Sequence, residues 1–191
     1  MDFQTYAPLA MRTARMFPDQ RSNLRHAALG LLTELGEFAT NVKRIVCYDK
    51  AMNEAMLANM IEEGGDTFWY VPLALFALGA DSLPTPTEGQ TASLPNDLGE
   101  LVIFMSAMQG AISASLTSGP GLPIQQDRDV VLECLSGIVF AMDKAATLIG
   151  SSGDEMRSLN IAKLRQRFPV NFSTQAAEGR ADKGGLSASE S

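Results

Sequence analysis

The chain has 191 residues, of which 46% are hydrophobic and 19% charged, and its formal net charge is −7. That length accommodates one domain with a sizeable core, and that apolar fraction argues against disorder along the whole chain. The acidic balance argues against a nucleic-acid backbone as partner, because such binding draws on an excess of Lys and Arg. A phosphate-bearing small molecule would need a bridging cation, a local cluster of bases, or both.

Helical periodicity dominates the pattern, and no alternating strand stands out. The opening residues, MDFQTYAPLA, lack a basic start and an apolar run, so no secretory signal is expected. A first helix is predicted over Phe3–Met16, ending at the Phe17-Pro18 step. A second is predicted over Asn23–Arg44, with Leu24, Ala28, Leu31, Leu32, Leu35 and Phe38 as its apolar side. A third covers Asn53–Leu78, with a kink expected at Pro72. Its apolar end, Tyr70–Ala80, is too short to span a bilayer, so no membrane partner is expected.

Prolines and glycines from Gly79 to Asp97 predict a loop without regular structure. Asp97-Leu-Gly-Glu100 has the form of a capping box and opens a fourth helix, which fades into the turn Ser118-Gly-Pro-Gly121. A fifth helix spans Asp129–Ile149. A second capping box, Ser152-Gly-Asp-Glu155, opens a sixth that ends before Pro169. Residues 1–172 thus read as one all-α domain, with 173–191 expected to be a disordered tail rich in Ala, Gly, Ser and charge. Cys47 and Cys134 stand alone in apolar stretches, which suits a reducing compartment and a cytoplasmic location.

The chemistry sits on the second and third helices. Glu34-x-x-Glu37 and Glu63-x-x-Asp66 each place two carboxylates on one helix face. If those helices pack together, four hard oxygen donors converge, a set that suits Mg²⁺ or Mn²⁺. Either pair alone also fits a solvated face. Here the acids adjoin apolar residues, and Gly36, Gly64 and Gly65 beside them would cost about 1 kcal/mol each in a plain helix. They make sense where backbones or ligands come close.

Glu34-x-x-Glu37, 25 further residues and Glu63-x-x-Asp66 together resemble the defining motif of the all-α nucleoside triphosphate pyrophosphatase superfamily. The flanks, His26-Ala-Ala-Leu-Gly-Leu-Leu-Thr-Glu-Leu-Gly-Glu37 and Glu62-Glu-Gly-Gly-Asp-Thr-Phe-Trp-Tyr70, are similar to its MazG-like branch. So is Asn160-Ile-Ala-Lys-Leu-Arg-Gln-Arg-Phe-Pro169 followed by Phe172-Ser173. The resemblance covers residues 4–79 and 150–182; Gly64 stands where the family more often has Leu, and 80–149 is where small members have only a short connection.

The resemblance implies a helical bundle that hydrolyses a nucleoside triphosphate to the monophosphate and pyrophosphate. Glu34, Glu37, Glu63 and Asp66 would ligate Mg²⁺, with Mn²⁺ as a substitute, and Glu34 or Glu37 would orient or deprotonate the attacking water. Asn160, Lys163 and Arg167, on one face of the last helix, would contact the phosphates, whereas Arg165 points elsewhere. Asn41 and Arg44 extend the stripe of Glu37, and Lys43 matches a basic position that often follows the first acid pair. His26, the only histidine, reads equally as a contact to base or phosphate and as a structural residue. Trp69 and Tyr70 read as core rather than as a stacking platform.

The residues do not specify the base; a deoxynucleoside triphosphate, dGTP first, is the expectation. A homo-oligomer, most simply a dimer, is expected as well. A dimeric-dUTPase-like or phosphoribosyl-ATP pyrophosphatase activity stays open, as does a helical scaffold with a vestigial metal site. A di-iron bundle would need Glu-x-x-His pairs, which are missing.

Residues 98–150 also echo 35–79. Leu98-Gly-Glu100 aligns with Leu35-Gly-Glu37, and Val131–Phe140 with Met60–Trp69, so that Cys134 meets Glu63 and Gly137 meets Asp66. A degenerate, metal-free copy fused in one chain would make the bundle an internal pseudo-dimer and wall the site from within.

Overall fold

A computed structural model describes residues 1–117, 119 and 125–179, and among them every regular element is α-helical. In chain order these are α1 (Phe3–Met11), α2 (Gln20–Tyr48), α3 (Glu54–Leu78), α4 (Glu88–Ala92), α5 (Leu98–Thr117), α6 (Gln125–Leu148), α7 (Gly153–Arg167) and α8 (Thr174–Gly179). Local chemistry explains most boundaries. Asp2, Asp19, Asn53 and Ser152 each turn a side-chain oxygen onto a backbone N–H of the first helical turn. Asp49 and Gly79 close α2 and α3 in the left-handed conformation. The Asp97 carboxylate accepts from Glu100 N at 2.9 Å, as its capping box predicts.

Several boundaries depart from expectation. The first helix stops at Met11, because Thr13 turns both its amide and its hydroxyl back onto Ala10 O. The second is longer at both ends: Asp19 caps it ahead of the apolar run, and it continues to Tyr48 before Asp49 closes it. Leu32 is 53% exposed and does not belong to its buried side. The third runs continuously through Pro72. One short helix, α4, forms inside the stretch expected to lack structure, where prolines flank it rather than interrupt it. Another, α8, occupies 174–179 of the expected tail; residues 180–191 and most of the turn at 118–121 lie outside the described residues.

Four long helices form the body. Asn41 meets Asn59 and Gly30 meets Tyr70, so α2 and α3 run antiparallel. Arg21 donates to Leu116 O and Gln109 to Ala28 O, so α5 runs antiparallel to α2. Arg128 donates to Leu78 O, while Met142 lies against Gly64, so α6 runs antiparallel to α3. The result is an alternating bundle around Leu24, Leu31, Phe38, Met60, Phe68, Leu101, Met105, Leu135 and Ile138, all buried. Helices α1 and α7 pack against α3 on one side, leaving an open seam beside Glu34 and Asp66.

These directions are the ones that a two-fold between α2–α3 and α5–α6 demands. The register within the second pair differs from the sequence alignment. Glu34 lies level with Asp66, whereas Gly137, the counterpart of Asp66, faces Phe104 and Met108 at 3.5 and 3.6 Å from an ideal Cβ position. The structural counterpart of the Glu34 turn is therefore near Phe104–Met108, about two turns beyond Leu98-Gly-Glu100. A short motif such as Leu-Gly-Glu carries too little information to fix a helix register.

Among the described residues one helix, α5, is long and apolar enough to cross a membrane by length and composition. It packs against α2 and α6, with Gln109 buried and bonded to Ala28 O at 3.2 Å. In the apolar run at the end of α3, Val71–Leu75, Ala77 and Leu78 are buried in the core, while Phe76 is exposed.

Candidate metal centre

Antiparallel packing of α2 on α3 brings the two acid pairs to one place. Ligand oxygens of Glu34, Glu63 and Asp66 lie within 4.8 Å of one another, around the level where the helices touch. Glu37 lines the same cavity, together with Glu62, but stands outside that group of three. The cavity measures about 310 Å³. Among the described residues none of 98–149 lines it, and the wall expected from a second copy is built by the segment after α1, by α7 and by the segment after α7. The α5–α6 pair backs the site instead, through Met142 behind Gly64.

The electrostatics are those of crowded carboxylates. Burial first, and then Glu37, Asp66 and Glu34, push the Glu63 carboxyl up to about 7. Burial and Asp66 raise Glu34. Asp66 is raised by burial despite the Lys163 ammonium, whose Nζ lies 2.6 Å from Oδ1. Hard oxygen donors that repel one another and have drawn a lysine cation onto Asp66 form a group that could hold a metal ion.

The three small residues behave differently from one another. A Cβ on Gly65 would stand 2.9 Å from Met156 O and 3.0 Å from Asn160 Cβ, so glycine lets α7 approach and carry Asn160 to Asp66. A Cβ on Gly64 would meet the flexible Met156 thioether, and one on Gly36 would meet nothing within 4 Å. Close approach therefore explains Gly65 but not Gly36. Gly36→Ala should stabilise the fold by about 1 kcal/mol through helix propensity, whereas Gly65→Ala should destabilise it and weaken Mn²⁺ binding. Thermal melts with and without Mn²⁺ check both; equal effects at the two positions would contradict this assignment.

The basic helix face does not act as one unit. Lys163 bridges Asp66 and Glu62, and Asn160 donates Nδ2 to Asp66 Oδ1 at 2.6 Å while buried to 3% exposure. Asn160 is thus engaged with a carboxylate rather than turned to the cavity, and of the three only Arg167 lines it. Asn41 is also turned inward, donating to Asn59 Oδ1, and Asn59 donates to Glu63 Oε1. Arg44 donates to Asn41. Lys43 is not at the site: it lines a separate groove of about 350 Å³ between α2 and α5, with Gly36, Thr40 and Ile103. Six residues along a helix leave Lys43 about 120° around the axis from Glu37, which turns it away from the acid face.

His26 lines the cavity, and its Nδ1 is buried without a hydrogen-bond partner among the described residues. Phe17, Trp69 and Tyr70 meet its ring edge-on, and burial followed by Arg15 lowers its pKa. Trp69 and Tyr70, expected to be core, line the cavity beside it. Trp69 is held by Thr13 Oγ1 at 2.9 Å, and Tyr70 packs where a Cβ on Gly30 would clash. Sequence reasoning also missed Thr13, Arg15, Phe168 and Phe172 as lining residues, and Tyr6 and Asn59 behind the acids. For Phe168 and Phe172 the C-terminal signature was a usable signal; for the others no local pattern marks them.

No family model matches this chain, and neither a curated protein nor a solved structure does.

Proposed function

We propose that the cavity is a divalent-metal site for hydrolysis of a phosphoanhydride. Within that class the residues best support a MazG-like nucleoside triphosphate pyrophosphohydrolase, which releases pyrophosphate and leaves a monophosphate. One observation carries the reading: three carboxylates from two helices converge within 4.8 Å in a cavity that Arg167 also lines. Glu34, Glu63 and Asp66 would hold Mg²⁺ or Mn²⁺. Such an ion supplies Lewis acidity and lowers the pKa of water.

The remaining roles belong to side chains. Glu37, which lines the cavity beside the cluster, would accept the proton of the attacking water. Arg167 neutralises phosphate oxygens, and Lys163 joins it at the edge of Asp66. His26, Trp69 and Tyr70 offer rings and one unpaired nitrogen to the base; dGTP or another deoxynucleoside triphosphate is the proposed substrate. Free Cys47 and Cys134 suit a reducing, cytoplasmic setting. Exposed Leu29, Leu32 and Ile103 suit self-association as a dimer, which light scattering on the eluting peak measures.

Assay of a triphosphate panel, including dGTP, dUTP and phosphoribosyl-ATP, tests the activity and its base. Pyrophosphate and monophosphate are the expected products, and EDTA should stop the reaction. Diphosphate with orthophosphate, or indifference to EDTA, would refute the reading. No Mn²⁺ binding at all would favour a helical scaffold. Arg167→Ala should raise KM for triphosphate about tenfold or more through a lost charge-assisted contact. Arg165→Ala, exposed on another face, serves as its control. Equal losses at the two positions would mean that α7 contributes only general charge.

A further inference from the structure

The two carboxylates contributed by α3 share an arrangement that those of α2 lack. Asp66 Oδ1 accepts from Asn160 Nδ2 at 2.6 Å, and Asn160 Oδ1 in turn accepts from the Tyr6 hydroxyl at 2.8 Å. Glu63 Oε1 accepts from Asn59 Nδ2 at 2.6 Å, and Asn59 Oδ1 accepts from Asn41 Nδ2 at 2.5 Å. Each acid is gripped by a carboxamide, and each carboxamide is turned by a donor from another helix.

The chemistry of an amide makes the outer donor decisive. A carboxamide has an accepting and a donating end, and only the donating end satisfies a carboxylate. A donor placed on Oδ1 fixes Nδ2 toward the acid. Tyr6 has its hydroxyl between Asn160 Oδ1 and Gly65 O, both acceptors, so it can only donate. Tyr6 is fully buried, and Asn41 and Asn160 are 4% and 3% exposed, so water does not readily replace a lost partner. Glu34, by contrast, receives a hydroxyl from its own neighbour Thr33 at 3.2 Å and otherwise meets Glu63, a fellow member of the cluster, and among the described residues no carboxamide grips it.

We infer that Tyr6 and Asn41 are positioning residues, which act through Asn160 and Asn59 to hold Asp66 and Glu63 in the rotamers that converge on Glu34. The inference rests on the metal-site reading above and deepens it: α3 supplies the rigid half of the site, and α2 the adjustable half. It also assigns the N-terminal helix a task at the site. The N-terminal ammonium contacts Asp154 O and Ser158 Oγ, which ties α1 to α7 next to this relay.

Isothermal titration of the full chain with Mn²⁺ tests this, using Tyr6→Phe, which keeps the ring and removes only the hydroxyl. Its Kd for Mn²⁺ should rise about tenfold or more, the usual effect of losing an outer-shell partner. Asn41→Ala should act alike through Glu63 and carries the test should Tyr6→Phe fold poorly. Gln109→Leu is the structural control: it removes a buried hydrogen bond from the α2–α5 seam and should lower Tm without changing Kd. Wild-type binding with an unchanged Kd in both variants would overturn the positioning role alone. Absence of binding in the wild type would overturn the metal site and this inference together.

Discussion

Asp66→Asn is expected to reduce kcat/KM for pyrophosphate release by about a thousandfold or more, with the far-ultraviolet circular dichroism unchanged. A metal-bound transition state draws several kcal/mol from its carboxylate ligands, and each 1.36 kcal/mol is a factor of ten. Asp66 is the acid on which the site's other parts meet: it belongs to the cluster of three, accepts from Asn160 and is bridged by Lys163. An amide there removes a ligand charge and also sets an N–H₂ group against the Lys163 ammonium. Glu62→Gln is the informative comparison. Glu62 meets Lys163 at 3.3 Å and lies outside the cluster, so its loss should cost no more than about tenfold. Activity of Asp66→Asn within tenfold of wild type would remove Asp66 from the chemistry.

The second large effect concerns pH and the metal-free protein. The Glu63 carboxyl is pushed up to about 7 from an ordinary 4.5, so the folded state holds that proton more tightly than the unfolded chain does. The stabilisation it brings is complete below the unfolded value and is lost as pH rises through 7. Glu34 and Asp66 are raised as well and add in the same direction. In EDTA, Tm should therefore fall between pH 5 and pH 8. Mn²⁺ at about a hundred times its Kd should return about 2.7 kcal/mol, or roughly 5–10 °C for a chain of this size. Glu63→Gln should raise Tm in EDTA at pH 8 and lose most of the response to Mn²⁺. A Tm in EDTA that is flat or rising from pH 5 to 8 would show that the carboxylates do not repel as described.

Much of the helical content was legible because it depends on neighbours in the chain. Apolar residues at helical spacing and the caps at Asp97 and Ser152 are local signals, and the corresponding helices form. Local signals also mislead in local ways: Asp19 caps α2 ahead of its apolar run, and Thr13 ends α1 early by bonding back to Ala10. The acid pairs were legible for the same reason, since a spacing of three fixes a shared face whatever the rest of the chain does.

The sequence alone determined that the chain is helical and that its carboxylates come in two pairs able to meet. Only the tertiary structure decided which groups stand behind them. Periodicity assigns a residue to a face, yet it does not say which faces meet or at what level. Lys43 therefore falls on an outer groove, Trp69 and Tyr70 line the cavity, and the pairing of α5 with α6 is shifted by about two turns from the motif alignment. Asn160 and Asn41 turned inward to orient acids instead of outward to a ligand. Tyr6 reaches Asp66 through Asn160, a residue 154 positions away in the chain. A contact of that kind leaves no periodic trace, because its energy comes from burying one hydroxyl at the meeting of α1, α3 and α7.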